Sequence, residues 1–597
     1  MRALLAVAFL LLALRLVALQ GFSSQHYAAI GSAEVTNTTK LTAVRGGMYD
    51  RNGQVLALSV PTSDLVADPY LIRNPAGEAA ALAPLLGLPE AALQLQLSAN
   101  SGYQVLARQL DSAVVKTVTA LNLPGLTTQA DAQRIDPGGT LASPVLGAVG
   151  GAGIGQSGLE YQDESLLSGR TGSATQALSP SGVPLPDATG RVSGAQPGTG
   201  LELTLDQPLQ YVTEQSLAAE IQTAHAKSGI AVIMNTHTGD ILSMANLVVD
   251  PTTGAVVEAP SNLALTQVYE PGSVFKLVTF SAALQAGIIT PQQVFSVPYS
   301  IVIDGAPFHD AESHPTLNLS ATNILAQSSN IGTIEIAQGL GADRLAAQIT
   351  NLGFGQPTGL HFPGESEGIV VKTSKWQPTD TPDTAIGQDD AVTAQQVLDM
   401  VNTVATGGSF VPPRLVRATV NPDGTVTAAK PAPTHRALSS QVTSELTAMM
   451  ESVVKQDGTA VLAGIPGYTV AGKTGTAQIP FPTHLGYIPG AYMATFAGFA
   501  PAENPQLSAI VVLDQPTPIF GGQVAAPVFS QIMRYALHRY GVPTSPGVGK
   551  QGGVTNLVPY PPASAATDPS SPVVVGPTTT TTAGTIHPKA GTSTGTP

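Results

Sequence analysis

The chain has 597 residues, 43% of them hydrophobic and only 11% charged, with a formal net charge of −14 and no cysteine. That length and apolar content suffice for two or three domains with sizeable cores. The acidic balance and sparse charge argue against a nucleic-acid surface, and the lack of cysteine excludes disulfides and thiolate metal sites.

In chain order, the stub Met1-Arg2 precedes an apolar run, Ala3 to Leu19, interrupted only by Arg15. The run is at the short end for a spanning helix, yet Leu19-Gln20-Gly21-Phe22 is a poor small-residue cleavage site. The expectation is a cytoplasmic stub over 1–2 and an uncleaved transmembrane signal anchor over 3–20. A cleaved signal peptide is the alternative. Arg15 is costly in lipid and is expected to face a partner helix or to snorkel to the interface.

Residues 21–195 mix short strand-like runs with a helical stretch, Ala76 to Leu97. Gly153-Ile154-Gly155-Gln156-Ser157-Gly158 has the form of a dinucleotide fingerprint. No acidic residue lies between Ser165 and Leu185, where a ribose-binding carboxylate would stand, so a tight glycine turn is the better reading. Over 196–545 helical patterns alternate with strands at Gly229–Met234, Met493–Phe499 and Leu507–Leu513, an α/β pattern. His309-Asp310-Ala311-Glu312-Ser313-His314 has metal-ligand residue types, but its spacing fits no helix face and it lies near proline in a loop, so no metal is assigned. No cofactor motif is assigned either. Residues 546–597 are rich in Pro, Thr, Ser and Gly, including the run Thr578 to Thr582, and are expected to form a disordered tail.

Three short motifs carry the chemistry: Ser273-Val274-Phe275-Lys276, Ser328-Ser329-Asn330 and Lys473-Thr474-Gly475-Thr476. Each is weak alone, and strays occur at Ser452-Val453-Val454-Lys455 and Ser98-Ala99-Asn100, but only the first set stands in the right order. Pro271-Gly272 breaks the chain before Ser273, and the apolar run that follows predicts a buried helix with Lys276 on the face of Ser273. An ammonium held among apolar neighbours loses hydration, so its pKa falls and it can accept a proton near neutral pH. Leu317 to Gln327 reads as a helix ending in a polar turn. There Ser328 could relay a proton, and the Asn330 amide could bond both substrate and Lys276. Helix capping is the plainer role for the same Ser and Asn types. Gly467 to Ala471 alternates like a strand facing a cleft. Gly475 is expected to clear room for a substrate backbone, and Lys473 with the Thr474 and Thr476 hydroxyls to receive a carboxylate.

The ordered triple is that of penicillin-binding serine acyl-transferases. The chain resembles the class B penicillin-binding proteins, monofunctional peptidoglycan D,D-transpeptidases. Tyr269-Glu270-Pro271-Gly272-Ser273 is similar to the division-type (FtsI-like, septal) nucleophile motif. Further similar stretches run from Arg45-Gly46-Gly47 through Ser157-Gly158-Leu159-Glu160 and Gly387-Gln388 to Phe496-Ala497-Gly498-Phe499, so the resemblance spans roughly residues 40 to 540.

The resemblance implies a penicillin-binding serine transpeptidase fold, an antiparallel sheet flanked by helices, over 196–545, and an elongated α+β pedestal of the dimerisation type over 21–195. It implies attack by Ser273 on the penultimate D-Ala carbonyl of a stem peptide, with Lys276 as base, Ser328 as proton relay and the N–H groups of Ser273 and Thr476 as oxyanion hole. β-Lactams would be dead-end acylating agents. Implied partners are a membrane glycan polymerase of the SEDS family and other divisome proteins, with the catalytic domain on the extracytoplasmic side of the cytoplasmic membrane.

Arg134-Ile135-Asp136-Pro137 departs from the family's Arg-x-Tyr-Pro, and Ala405-Thr406-Gly407-Gly408 from its Ala-Asn-Gly-Gly. Alternatives are an elongation-type transpeptidase, a D,D-carboxypeptidase, a class A β-lactamase with Glu365 as the candidate base, and a non-catalytic β-lactam sensor.

Overall fold

The computed structural model describes residues 1–22, 36–177 and 191–548. The expected tail lies, from residue 549 onward, outside the described residues. The helix Arg2–Val17 continues into a wider turn, Ala18–Phe22, and none of its side chains is buried against the described residues. Its apolar span, Arg2–Gln20, is long enough to cross a membrane.

The catalytic half is built on a six-stranded sheet. In spatial order its strands are Val256–Glu258, Ile241–Val249, Ser228–Asn235, Leu507–Asp514, Tyr487–Ala500 and Ala471–Pro480, with every neighbouring pair antiparallel. The central strands are buried almost throughout, so they read as continuous apolar runs rather than alternating ones. Helices cover both faces. Ser243 donates to Gln210 of the helix Gln207–Thr223 on one face, and Ser508 donates to Asn402 of the helix Ala394–Ala405 on the other. The helix Gly521–Arg539 shares the face of Gln207–Thr223. Among the described residues Ala471–Pro480 is an edge strand with Tyr487–Ala500 as its ladder partner, an edge to which an extended ligand can add.

A seven-stranded sheet carries the N-terminal region. It takes in Met48–Tyr49, Val55–Ala67, Gln104–Leu110 and Leu126–Ile135, together with Gly200–Leu203 and two strands from far along the chain, Val416–Val420 and Val426–Ala428. Strands on both sides of the expected boundary at 195 thus share one sheet. The cores follow the same division. Met48, Leu56 and Leu146 join the main core, while Leu65, Leu82, Leu93, Leu106 and Val118 form a separate small core farther out. The expected helix over Ala76 to Leu97 is two, Pro75–Leu86 and Glu90–Leu97, because Gly87 adopts a left-handed φ of 62° and Pro89 follows.

At Gly150–Ile154 the glycine-rich stretch is a tight turn, with the Gly150 N–H donating to the Ile154 carbonyl at 2.8 Å. Arg134 keeps its partner despite the changed motif around it: its guanidinium reaches Glu160 at 2.7 Å, and Arg45 holds the same carboxylate at 2.5 Å. Asp136 is pushed up to about 6 by burial, against the pull of Arg134.

Beside this shared core, the seam between the two regions carries a polar cluster. Asp206 caps the helix Gln207–Thr223 by accepting from the Leu209 N–H, and its second oxygen accepts from Arg539 at 2.7 Å and the Tyr540 hydroxyl at 3.0 Å. The Arg51 guanidinium, from the N-terminal region, lies 5.4 Å above the Tyr540 ring. Asp206→Ala removes a cap and strands a guanidinium, so it should destabilise the catalytic half by about 3 kcal/mol. Thermal unfolding of the full chain in detergent should show this as a lowered first transition, and an unchanged melt would contradict the cap and ion-pair assignment.

Candidate active site

Ser273 stands on a short 3-10 turn, Gly272–Phe275, which runs straight into the helix Lys276–Gln285. The predicted buried helix is present, but it is entered through this tighter turn. Residues 274–284 are all buried, while Ser273 is half-buried. Two glycines set the turn. Gly272 has a φ of 56°, and at Gly387, with φ 85°, a Cβ would stand 2.1 Å from the Gly272 carbonyl oxygen. The Gly272 N–H donates to the Gly387 carbonyl at 2.9 Å, which ties the Ser273 turn to the Gly387-Gln388 loop.

Lys276 is fully buried, and its Nζ donates to the Asn330 Oδ1 at 2.7 Å, the Ser328 carbonyl at 2.5 Å and the Ser328 Oγ at 3.3 Å. Lys473, equally buried, donates from the opposite side to the same Ser328 Oγ at 2.9 Å and to the Thr474 carbonyl at 3.0 Å. Burial lowers the Lys276 pKa to about 7, with Asp310 pulling the other way. Burial also drives Lys473 well down, and the charge of Lys276 adds to that. Two ammonium groups against one hydroxyl repel each other, so near neutrality the pair holds fewer than two protons. Ser328 itself sits at a left-handed φ of 59°, uncommon for a residue with a Cβ and the kind of backbone strain found at functional sites.

Leu317 to Gln327 differs from the expected single helix. Leu317–Ser320 is a strand paired with Val294–Val297, and the helix is only Ala321–Ala326. Capping falls to Ser329, whose Oγ accepts from the Gly332 N–H at 3.0 Å to start the helix Asn330–Leu340; Ser328 and Asn330 are left to the lysines.

The third motif also differs in detail. The strand starts at Ala471, not Gly467, and contains the motif itself. Side chains alternate along it. Lys473 and Gly475 face the Ser273 turn, while Thr474 meets the Thr459 hydroxyl at 2.8 Å and Thr476 lies toward the Gly521 N–H. At Gly475 a Cβ would come within 2.9 Å of Val274 and 3.0 Å of the Pro271 carbonyl. The missing side chain therefore lets the Ser273 turn dock on the strand, and the room expected there for a substrate backbone is already filled. Across the eight predicted residues, Lys276, Ser328, Asn330 and Lys473 form one bonded cluster, the Thr474 hydroxyl meets it by accepting from Lys473 Nζ at 3.4 Å, Gly475 lets the Ser273 turn dock beside it, and Thr476 lies toward the Gly521 N–H.

The family of penicillin binding protein transpeptidase domains matches residues 229–534, and that of penicillin-binding protein dimerisation domains matches residues 40–203. The penicillin-binding protein PbpB of Mycolicibacterium smegmatis is 32% identical over 586 residues, covering 90% of each chain. The chain is a class B penicillin-binding protein of the division type. The peptidoglycan D,D-transpeptidase FtsI of Escherichia coli is 30% identical over 546 residues, 89% of each chain. The crystal structure of penicillin binding protein 3 from Mycobacterium tuberculosis complexed with aztreonam aligns with a TM-score of 0.67 at 29% identity, over 86% of this chain and all of that one.

Two carboxylates deserve placing in this class B site. Glu365 accepts from the Thr358 N–H at 2.7 Å and from the Thr358 hydroxyl, so it closes its own loop. Glu270, just before the nucleophile turn, accepts from the Tyr487 hydroxyl at 3.1 Å. Burial, joined by the charges of neighbouring Asp389 and Asp383, pushes its pKa up to about 7. In the sequence Glu270 is only one residue of the nucleophile motif; its approach to Asp383 and Asp389, far later in the chain, exists only in the fold.

With lysine side chains labelled at the ε carbon, one resonance should titrate near pH 7 and vanish in Lys276→Met. A Lys276 signal titrating only near its ordinary value of 10.5 would contradict the desolvated-amine assignment.

Proposed function

We propose that this chain is a peptidoglycan D,D-transpeptidase that cross-links stem peptides through an acyl-enzyme on Ser273 during septal wall synthesis. The observation that carries the reading is the convergence of Lys276 and Lys473 on the Ser328 hydroxyl, beside a nucleophile docked on a free sheet edge.

The donor stem peptide lies along the edge of Ala471–Pro480, its terminal carboxylate drawn by the positive potential of Lys473 and bonded by the Thr474 and Thr476 hydroxyls. Neutral Lys276 takes the proton from Ser273 as its Oγ bonds to the penultimate D-Ala carbonyl carbon. The N–H groups of Ser273 and Thr476 stabilise the resulting oxyanion. As the tetrahedral centre collapses, the bond to the terminal D-Ala nitrogen breaks and Ser328 passes a proton to that amine. The amine of a second stem peptide then attacks the ester and loses its proton through the same relay. Ser273 is released with its proton restored, and a new amide is left between the peptides. A β-lactam offers the same carboxylate and acyl carbon, but its leaving nitrogen stays tethered after ring opening, so the adduct persists.

The membrane span over Arg2–Gln20 and the division-type relatives indicate a single-pass membrane protein. We place the catalytic region, 196–545, on the extracytoplasmic side, held off the membrane by the pedestal over 21–195. With stem-peptide joining as the only chemistry of this site, new glycan strands come from a separate membrane polymerase of the SEDS family, acting with other division proteins.

Fluorescent penicillin followed by peptide mapping tests the assignment. Label should sit on the peptide containing Ser273 and persist for many minutes, and Ser273→Ala should lower labelling by at least about 1000-fold. Paired donor and acceptor peptides should yield a cross-linked amide. Label on Ser452, rapid loss of label, or hydrolysed donor as the sole product would each overturn the reading.

A further inference from the structure

The loop His309 to His314 has the composition of a metal cluster, yet its Asp310 carboxylate turns to the Ser328–Asn330 segment and His314 turns to Asp310. Asp310 is buried, and both its oxygens are engaged. One accepts from the Asn330 N–H at 2.5 Å and the Ile331 N–H at 3.0 Å; the other accepts from the Ser329 hydroxyl at 2.8 Å and meets His314 Nε2 at 3.0 Å. The preceding residue contributes as well, because the His309 carbonyl accepts from the Asn330 side-chain amide at 3.0 Å. That bond fixes which way the amide faces and presents its Oδ1 to Lys276.

His314 is oriented in turn. Its Nδ1 lies 2.7 Å from the Pro315 carbonyl, so both ring nitrogens face acceptors. An imidazole with two acceptors is best satisfied with a proton on each nitrogen, and both contacts raise its pKa above the ordinary value. The Tyr299 ring meets it edge-on at 5.9 Å and closes the other side. A His314⁺–Asp310⁻ pair therefore stands behind the turn that strains Ser328, with the negative member toward Lys276.

Resting on the transpeptidase reading above, we propose that Asp310, held by protonated His314, is a positioning residue: it clamps the Ser328–Asn330 turn against the two lysines and sets the electrostatic field in which Lys276 gives up its proton. Asp310 does not touch substrate. It acts through Ser329, the first amides of the helix Asn330–Leu340, and charge. The groups facing Lys276 are Lys473 from the edge strand and Asp310 from this loop, with His314 behind Asp310.

The two members of the pair act in opposite senses. Removing the carboxylate charge takes away the pull that holds protons on Lys276, so the acidic limb of the rate profile moves to lower pH. Removing the imidazolium leaves the carboxylate uncompensated, so the limb moves to higher pH.

The test is the second-order rate of Ser273 acylation by fluorescent penicillin from pH 5 to 9, in the full chain, for wild type, Asp310→Asn and His314→Gln. Asp310→Asn keeps the shape and one acceptor; its rate should fall about 100-fold, the scale expected when reacting groups lose alignment by an ångström, and its acidic limb should move down. His314→Gln should fall roughly tenfold, at the lower end of what loss of an orienting partner costs, with its limb moved up. Wild-type rates and midpoints in Asp310→Asn would overturn the proposal. A loss of rate with no movement of either limb would assign the pair to structure alone and overturn its electrostatic part. Should Asp310→Asn fail to fold, His314→Gln decides by the same two readouts. Failure of wild type to acylate would instead count against the transpeptidase reading itself.

Discussion

Everything in this site depends on two lysine amines being removed from water and brought to one serine hydroxyl. In bulk solvent both would be ammonium ions and would repel across that distance. Inside the protein, burial makes the charged form costly, and the amines rest on a few fixed acceptors: the shared Ser328 hydroxyl, the Ser328 carbonyl, the Asn330 amide oxygen and the Thr474 carbonyl and hydroxyl. The same desolvation that makes the arrangement expensive for the fold lowers the pKa of an amine one helical turn from Ser273.

The architecture makes that cluster possible by joining three distant segments of chain. Lys276 arrives at the start of a buried helix, Ser328 on a strained turn between two helices, and Lys473 on an edge strand. Glycine lets them close on each other. Gly475 admits the nucleophile turn to the strand, and Gly387 admits it to the opposite loop, where any Cβ would strike backbone. Because the strand is at the sheet's edge, bringing the lysine in also leaves an unpaired backbone ladder next to the nucleophile. Catalytic charge and peptide-binding edge are thus two properties of one strand.

The sequence carried the chemistry well and its support poorly. The motif order picked out Ser273, Lys276, Ser328, Asn330 and Lys473 because a few residue types at fixed spacing are a local signal, and the central strands were legible as apolar runs. Long-range supports leave no such trace. Val416–Val420 and Val426–Ala428 join the N-terminal sheet from over 200 residues away, which no periodicity encodes. The loop from His309 to His314 has the residue types of a metal site, and residue types alone cannot say whether two histidines and an aspartate face each other or a neighbouring turn. At Gly475 the sequence alone suggests substrate clearance, because the turn that fills the space comes from about 200 residues earlier in the chain.

The account stands or falls on Lys276 acting as a neutral amine. The most direct measurement is the acylation rate of Lys276→Arg beside wild type across pH, since arginine keeps length and charge but does not deprotonate in proteins. The account predicts a wild-type rate that rises through an acidic limb near pH 7 and a variant that is inert throughout. A variant that acylates at the wild-type rate, with the same limb, would contradict it.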